Sequence, residues 1–311
     1  KKLIWLIVLV LVALGIMVLA GGDKTPVATS GETIKIGIQL PLTGDLAFIG
    51  EADRNAAELA MEEIKNKSDL KYQYELVIED DSFDAAKAVG VMNKFISVDK
   101  VDAVISVGST AGNVVAPLAE KNKIPHIGMA SDLMVAKGDY NFIHWTRPQE
   151  EATTMVAEMK KRGITKVAIL GVNQQGYIAV ANDFKEKAKA AGITTTEEIF
   201  NPSQTDFRTI ITKMQKENPQ IYLLGTFDPE TGILAKQFSD LKIKTPLTSI
   251  ESFGLTADPK PFEGQWYVDA AVPTGEFSTK YQAKYAKGPG PAAPNVYDAV
   301  NLIVRAFEMT S

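Results

Sequence analysis

Hydrophobic positions along this chain fall into two alternating periods. Short β-branched runs read as strands, and stretches with apolar residues three and four apart read as helices. From Thr33 the first unit is a strand over Ile34 to Leu40 (IKIGIQL), followed by Ile49, Ala52, Ala56, Leu59, Ala60 and Ile64 at helical spacing. Further strands are predicted at Tyr74 to Ile78, Ala103 to Val107 and Ile124 to Gly128, with helices at Ala85 to Ser97 and Asn113 to Lys121. A second series starts after Arg147-Pro148. It places helices at Glu150 to Arg162, Ala179 to Ala191, Asp206 to Glu217 and Thr231 to Leu241, and strands at Val167 to Leu170, Ile193 to Phe200, Ile221 to Gly225 and Leu247 to Ile250.

Such alternation implies parallel sheets with helices on both faces. About ten strands in one open sheet would be unusual, so the expected fold class is α/β, as two doubly wound parallel-sheet lobes. Ligands of open parallel sheets sit outside the carboxyl ends of the strands. The loops at those ends here are PLTGDLAFIG, VGSTAGN, GMASD, GVNQQGY, GTFDPETG and IESFG, all small and polar.

The first thirty residues break the pattern. Lys1-Lys2 precede an uninterrupted apolar run from Leu3 to Ala20, the order of a secretory signal or signal anchor. As a hydrophobic helix it would span roughly 27 Å, close to the roughly 30 Å of a bilayer core. Export is expected either way, with a retained membrane anchor favoured over a cleaved leader. Residues 21–31 (GGDKTPVATSG) read as a tether.

Composition narrows the chemistry. Of 311 residues 45% are hydrophobic, enough for one large or two medium cores, and the net charge of -5 offers no basic field for nucleic acid. Cysteine is absent, which excludes disulfides, thiolate nucleophiles and a lipid-modified terminus built from this chain. The two histidines, His126 and His144, sit in strand-like runs (IPHIG, NFIHWT) and read as structural.

Gly108 to Gly112 follow a buried strand and open a helix, so free N–H groups and a positive helix end would face the cleft. Ser109 and Thr110 then either hold a carboxylate or cap the helix. Ala130-Ser131 end the next strand with a similar surface. Glu251 follows another strand and could take an ammonium group or stand solvated. Phe48, Tyr177 and Phe227 lie in three other loops, where each packs either a ligand or its own lobe. Enzyme signals fail in context. Gly171 to Gly176 has a P-loop-like spacing, but Tyr177 stands where a lysine must reach phosphates, and neither G-x-G-x-x-G nor G-x-S-x-G occurs. Asp80, Asp81 and Asp84 could suggest a metal but read better as a turn and helix cap. No catalytic residues, cofactors or metal sites are expected.

Taken together the loops resemble the type I periplasmic solute-binding proteins, specifically the leucine/isoleucine/valine-binding group of ABC transporters. The resemblance rests on IKIGIQLPLTGDLAFIGE, NAAELAMEEI, IEDDSFDAAKAV, VGSTAGNVVAPLAEKNKIPHIGMAS, FIHWTRPQEEAT, GVNQQGYIAVANDFKE, TDFRTIITKMQKENPQIYLLGTFDPETG and VYDAVNLIVRAFE, in that order. It implies two lobes joined by a multi-strand hinge: residues 33–147 and 273–311 form the first and 148–272 the second, preceded by the leader at 1–32. The final strand pair usual in the family would follow Ser311.

The same resemblance implies that Ser109 or Thr110, with Ala130-Ser131, holds the ligand carboxylate, and that Glu251 takes an α-ammonium group. Tyr177 falls at an aromatic position of the second lobe, with Gln175 as its alternative because Gly176-Tyr177 reverses the usual order. Phe227 replaces a common tyrosine, and Arg54 a common small residue. The implied protein is an extracytoplasmic, membrane-anchored monomer that closes on a small amino-acid-like ligand and delivers it to an ABC transporter permease. A sensory ectodomain and a hydrolase of the same fold are the alternatives.

Overall fold

The structure, a computed structural model, describes residues 31–271 and 275–310. The expected leader helix, most of its tether and the second lobe crossing near Val272-Pro273 lie outside the described residues. Among the described residues no helix is long and apolar enough to cross a membrane.

Two parallel sheets organise the chain. The first contains β1 (Thr33–Leu40), β2 (Gln73–Asp80), β3 (Ala103–Val107), β4 (His126–Met129) and β5 (Asn141–Ile143) in the order β2-β1-β3-β4-β5. The second contains β6 (Lys166–Val172), β7 (Thr194–Phe200), β8 (Ile221–Gly225) and β9 (Leu247–Ser249) in the order β7-β6-β8-β9. All these pairings are parallel. In both sheets the strand order reverses at the first strand of its series, so each sheet opens a crevice beside β1 or β6.

Helices cover the faces. The first series uses α1 (Ala47–Lys65), α2 (Ala85–Lys94) and α3 (Ser109–Asn122), and the second uses α4 (Pro148–Lys161), α5 (Gln175–Ala190), α6 (Arg208–Gln215) and α7 (Glu230–Asp240). Strand β1 starts with an exposed Thr33 and ends with Ile36 to Leu40 all buried, as a strand covered on both faces requires. Burying each such aliphatic side chain contributes roughly 1.5–3 kcal/mol. The cores are separate: Ile36, Ile38, Leu40 and Ile105 belong to one, and Ile169, Leu170, Phe184 and Leu223 to the other.

After the second series the chain returns to the first lobe. Helix α8 (Glu276–Tyr285) lies on α1, where Tyr281 Oη donates to the Ala52 carbonyl at 3.2 Å and Tyr285 Oη to the Asn55 carbonyl at 2.8 Å. Helix α9 (Ala293–Met309) buries Val296, Val300 and Ile303 in the first core. Its Glu308 accepts a 2.7 Å bond from Tyr74 of β2.

Several boundaries depart from the sequence pattern. Helix α3 begins at Ser109, not Asn113, and α5 at Gln175, not Ala179. Their first turns carry small or polar residues without apolar period, because those turns face the other lobe. The run NFIHWT supplies only the three-residue edge strand β5, and His144 lies beyond it.

Candidate functional site

The carboxyl ends of β1, β3 and β4 face those of β8 and β9 across a cavity of about 70 Å³. Leu46, Ile49, Phe83, Phe227 and Leu255 form its apolar wall, and Ser109, Thr110, Ser131, Trp145 and Glu251 add polar groups. Of the residues singled out from sequence, Ser109, Thr110, Ala130, Ser131, Phe227 and Glu251 meet here.

The first lobe contributes a helix start. Gly108 precedes α3 with φ +87°, and a Cβ there would collide with the Phe83 ring, so glycine is required twice over. The first turn of an α-helix leaves its N–H groups without intrahelical partners, which makes this corner electropositive. Ser109 Oγ accepts the Asp132 N–H at 3.1 Å. Its own hydrogen is therefore free to donate towards the cavity.

Glu251 supplies the opposite pole. It follows β9 in the left-handed region with φ +64°, a conformation uncommon for a residue with a side chain. Its amide bonds to the Val268 carbonyl at 2.9 Å and its carbonyl accepts the Gly254 amide at 2.8 Å, so the turn is held from both sides. The carboxylate accepts Trp145 Nε1 at 2.5 Å and Ser131 Oγ at 3.3 Å, both from the first lobe. Burial pushes its pKa up, and the bonds from Trp145 and Ser131 work against that shift.

The lobes touch directly around this space. Asn113 on α3 donates to Gln175 on α5 at 2.7 Å and to Asp132 at 2.8 Å. The rings of Phe83 and Phe227 lie 5.8 Å apart, and a Cβ on Gly176 would come within 3.1 Å of Ser109 Oγ. The described state is therefore a closed one.

Phe48, Gln175 and Tyr177 take other positions. Phe48 packs in an apolar cluster with Leu46, Ile49 and Leu255, beside the cavity but outside its lining. Gln175 reaches Asn113. Tyr177 lies flat across Gly171 and Gly225 of neighbouring strands, where any Cβ would strike its ring, and its hydroxyl donates to Glu197 at 3.2 Å. It lines a smaller adjoining cavity that shares Phe227, Glu251 and Leu255 with the main one. Arg54 is half-buried on α1 outside the cavity lining, where it adds to the effect of Lys287, the main group that favours the ionised form of Glu51.

The remaining candidates serve the scaffold. His126 is buried between Ser106 at 2.8 Å and Asn141 at 2.9 Å, and burial lowers its pKa to about 4. His144 stands 3.6 Å from Asp298. Asp80 accepts from the Leu42, Thr43 and Ser82 amides and both hydroxyls, and Asp84 caps α2 through the Lys87 amide at 2.8 Å. These acids hold a turn and a helix end, as their spacing suggests. Asn113 and Trp145 had no individual signal in the sequence. A tryptophan just after an edge strand was the nearest hint.

The family profile described as periplasmic binding protein matches residues 33–310. A Leu/Ile/Val-binding protein of Rhizobium johnstonii is 25% identical over 288 residues, covering 89% of this chain and 76% of its own. The branched-chain amino acid transporter substrate-binding protein of Streptococcus pneumoniae, solved in complex with isoleucine, superposes with a TM-score of 0.79 at 25% identity, over 90% of this chain and 85% of that one. A solute-binding protein of an ABC transporter from Rhodopseudomonas palustris, solved with 3,4-dihydroxybenzoic acid, shares the fold with a TM-score of 0.74 at 22% identity, over 89% and 80% of the two chains. With a family match running across both lobes and the returning helices, this chain belongs to the periplasmic binding proteins.

Proposed function

We propose that this protein is the extracytoplasmic substrate-binding component of an ABC-type uptake system, closing on a small amino acid with an apolar side chain and catalysing no reaction. The observation that carries this reading is the dipolar cavity. The start of α3 with Ser109 and Thr110 suits a carboxylate, the buried Glu251 suits an ammonium group, and the wall of Leu46, Ile49, Phe83, Phe227 and Leu255 suits an apolar side chain. Ligand-bridged closure follows from the division of labour: the first lobe takes the carboxylate, and the second adds Glu251 and Phe227 only when closed. Export and anchoring through Leu3 to Ala20, a monomeric state, delivery to a permease, and lobes at 33–147 with 273–311 and at 148–272 belong to the same proposal.

Isothermal calorimetry on the full chain with L-leucine, L-isoleucine and L-valine tests it, with micromolar or tighter binding expected for at least one. A second reading, an aromatic acid, draws on the apolar wall and on the dihydroxybenzoate-bound relative, so 3,4-dihydroxybenzoate belongs in the same panel. Binding of that compound alone would replace the amino-acid reading.

A further inference from the structure

Beside Glu251, and outside the cavity lining, stands a carboxyl that the binding site does not use. Glu151 lies in the first turn of α4, is 2% exposed, and neither of its oxygens has a hydrogen-bond partner. Glu251, which is 9% exposed, stands within side-chain hydrogen-bonding reach of it. Asp269, just past the Val268 bridge, completes the group, and its carboxyl fills the space beside Gly254 that a side chain would need.

The charged groups that act on Glu151 are all acidic: Glu251 after β9, Asp269 from the segment beyond, and Glu150 on its own helix. None of the ion pairs among the described residues involves Glu151, Glu251 or Asp269. Two ionised carboxylates only accept, so Glu151 and Glu251 can bond to each other only by sharing a proton. Trp145 and Ser131 already donate to Glu251, which favours its ionisation and leaves the proton to Glu151. Burial raises all three acids, and neighbouring charges add to it at Glu151 and at Asp269, which rises to about 7.

We propose that Glu151 is a positioning residue that shares a proton with Glu251 in the empty cavity, and that an ammonium-bearing ligand displaces this proton on binding. This rests on the reading of Glu251 as the ammonium acceptor. The exchange balances: the ligand keeps its three N–H protons, its charge takes the place of the shared proton's, and that proton leaves to buffer. Ligand affinity then rises with pH, because each released proton makes binding a competition with hydrogen ions.

The test is calorimetry of L-isoleucine binding to the full chain at pH 7 in phosphate and in Tris, whose ionisation enthalpies differ. Release of close to one proton per ligand is expected, with Kd falling up to about tenfold per pH unit where the pair titrates, as one-proton linkage requires. For Glu151→Gln the release should drop to near zero and Kd should become nearly independent of pH between 6 and 8. A purely structural role for Glu151 would shift Tm and leave proton release unchanged. Wild-type binding without proton release, or undiminished release from Glu151→Gln, overturns the proposal. Should Glu151→Gln fail to fold, the wild-type buffer comparison still decides. Absence of binding by any ammonium-bearing ligand overturns the amino-acid reading and this inference with it, whereas binding without release overturns this inference alone.

Discussion

Two strand-end acids, Asp80 as the last residue of β2 and Glu251 just after β9, look alike in sequence and are treated oppositely by the fold. Partial burial opposes ionisation of Asp80, but its hydrogen bonds from Thr43, Ser82 and Leu42 outweigh burial and hold its pKa at about 2. Glu251 is buried more deeply, and burial outweighs the bonds from Trp145 and Ser131, so its pKa rises. The first carboxylate spends its charge on the loop after β1. The second keeps an unmet demand for positive charge, which is what a ligand site needs.

Substitution at each acid can break or sharpen this contrast. Glu251→Ala should weaken amino-acid binding by at least about 30-fold, since removing one partner of a buried charge pair costs roughly 2–5 kcal/mol. Calorimetry showing unchanged affinity would remove Glu251 from the site. Its thermal stability at pH 8 should not fall, because a group whose folded pKa is raised stabilises least above that pKa.

Asp80→Asn should leave affinity within a few-fold and lower stability by about 1.5 kcal/mol, a figure already reduced for solvent exposure. Its sign with pH is opposite to that of Glu251. A carboxylate held at about 2 contributes above its unfolded value near 4 and loses that contribution as pH falls towards 2. Urea melts from pH 2 to 7 should therefore show a flatter acid limb in the variant.

Smaller effects come from the two acids next in sequence. Asp84→Ala removes the cap of α2 and should cost about 1 kcal/mol in a urea melt at pH 7. Asp81 is fully buried with Oδ2 unpaired, and burial raises its pKa to about 6. Asp81→Asn should therefore raise Tm slightly at pH 8 and have less effect at pH 4. The gain should stay below about 1 kcal/mol because the new amide is itself unpaired.

Legibility in the sequence followed burial. Strands such as β3 and β8, buried on both faces, announced themselves as apolar runs, and the cap at Asp84 followed from its spacing to the helix. The first turn of α3 showed only as a small polar strand-to-helix loop, and that of α5 not at all, because Ser109 and Gln175 face a second lobe whose position no local pattern encodes. Tyr177 shows the same limit: its loop is polar in sequence, yet its ring lies over Gly171 and Gly225, two glycines that gave no sign of sharing a neighbour.

The sequence by itself determined a chain of βαβ units in two series, with small polar loops at the strand ends and no cysteine chemistry. Periodicity is a local property, and a parallel sheet buried on both faces leaves a strong trace of it. The tertiary structure alone decided that Ser131 and Trp145 would reach Glu251, that Asn113 would meet Gln175, and that Glu151 would be buried beside Glu251. Those partners are 62 to 120 residues apart in the chain, and contacts of that range depend on how two separately cored lobes close on each other.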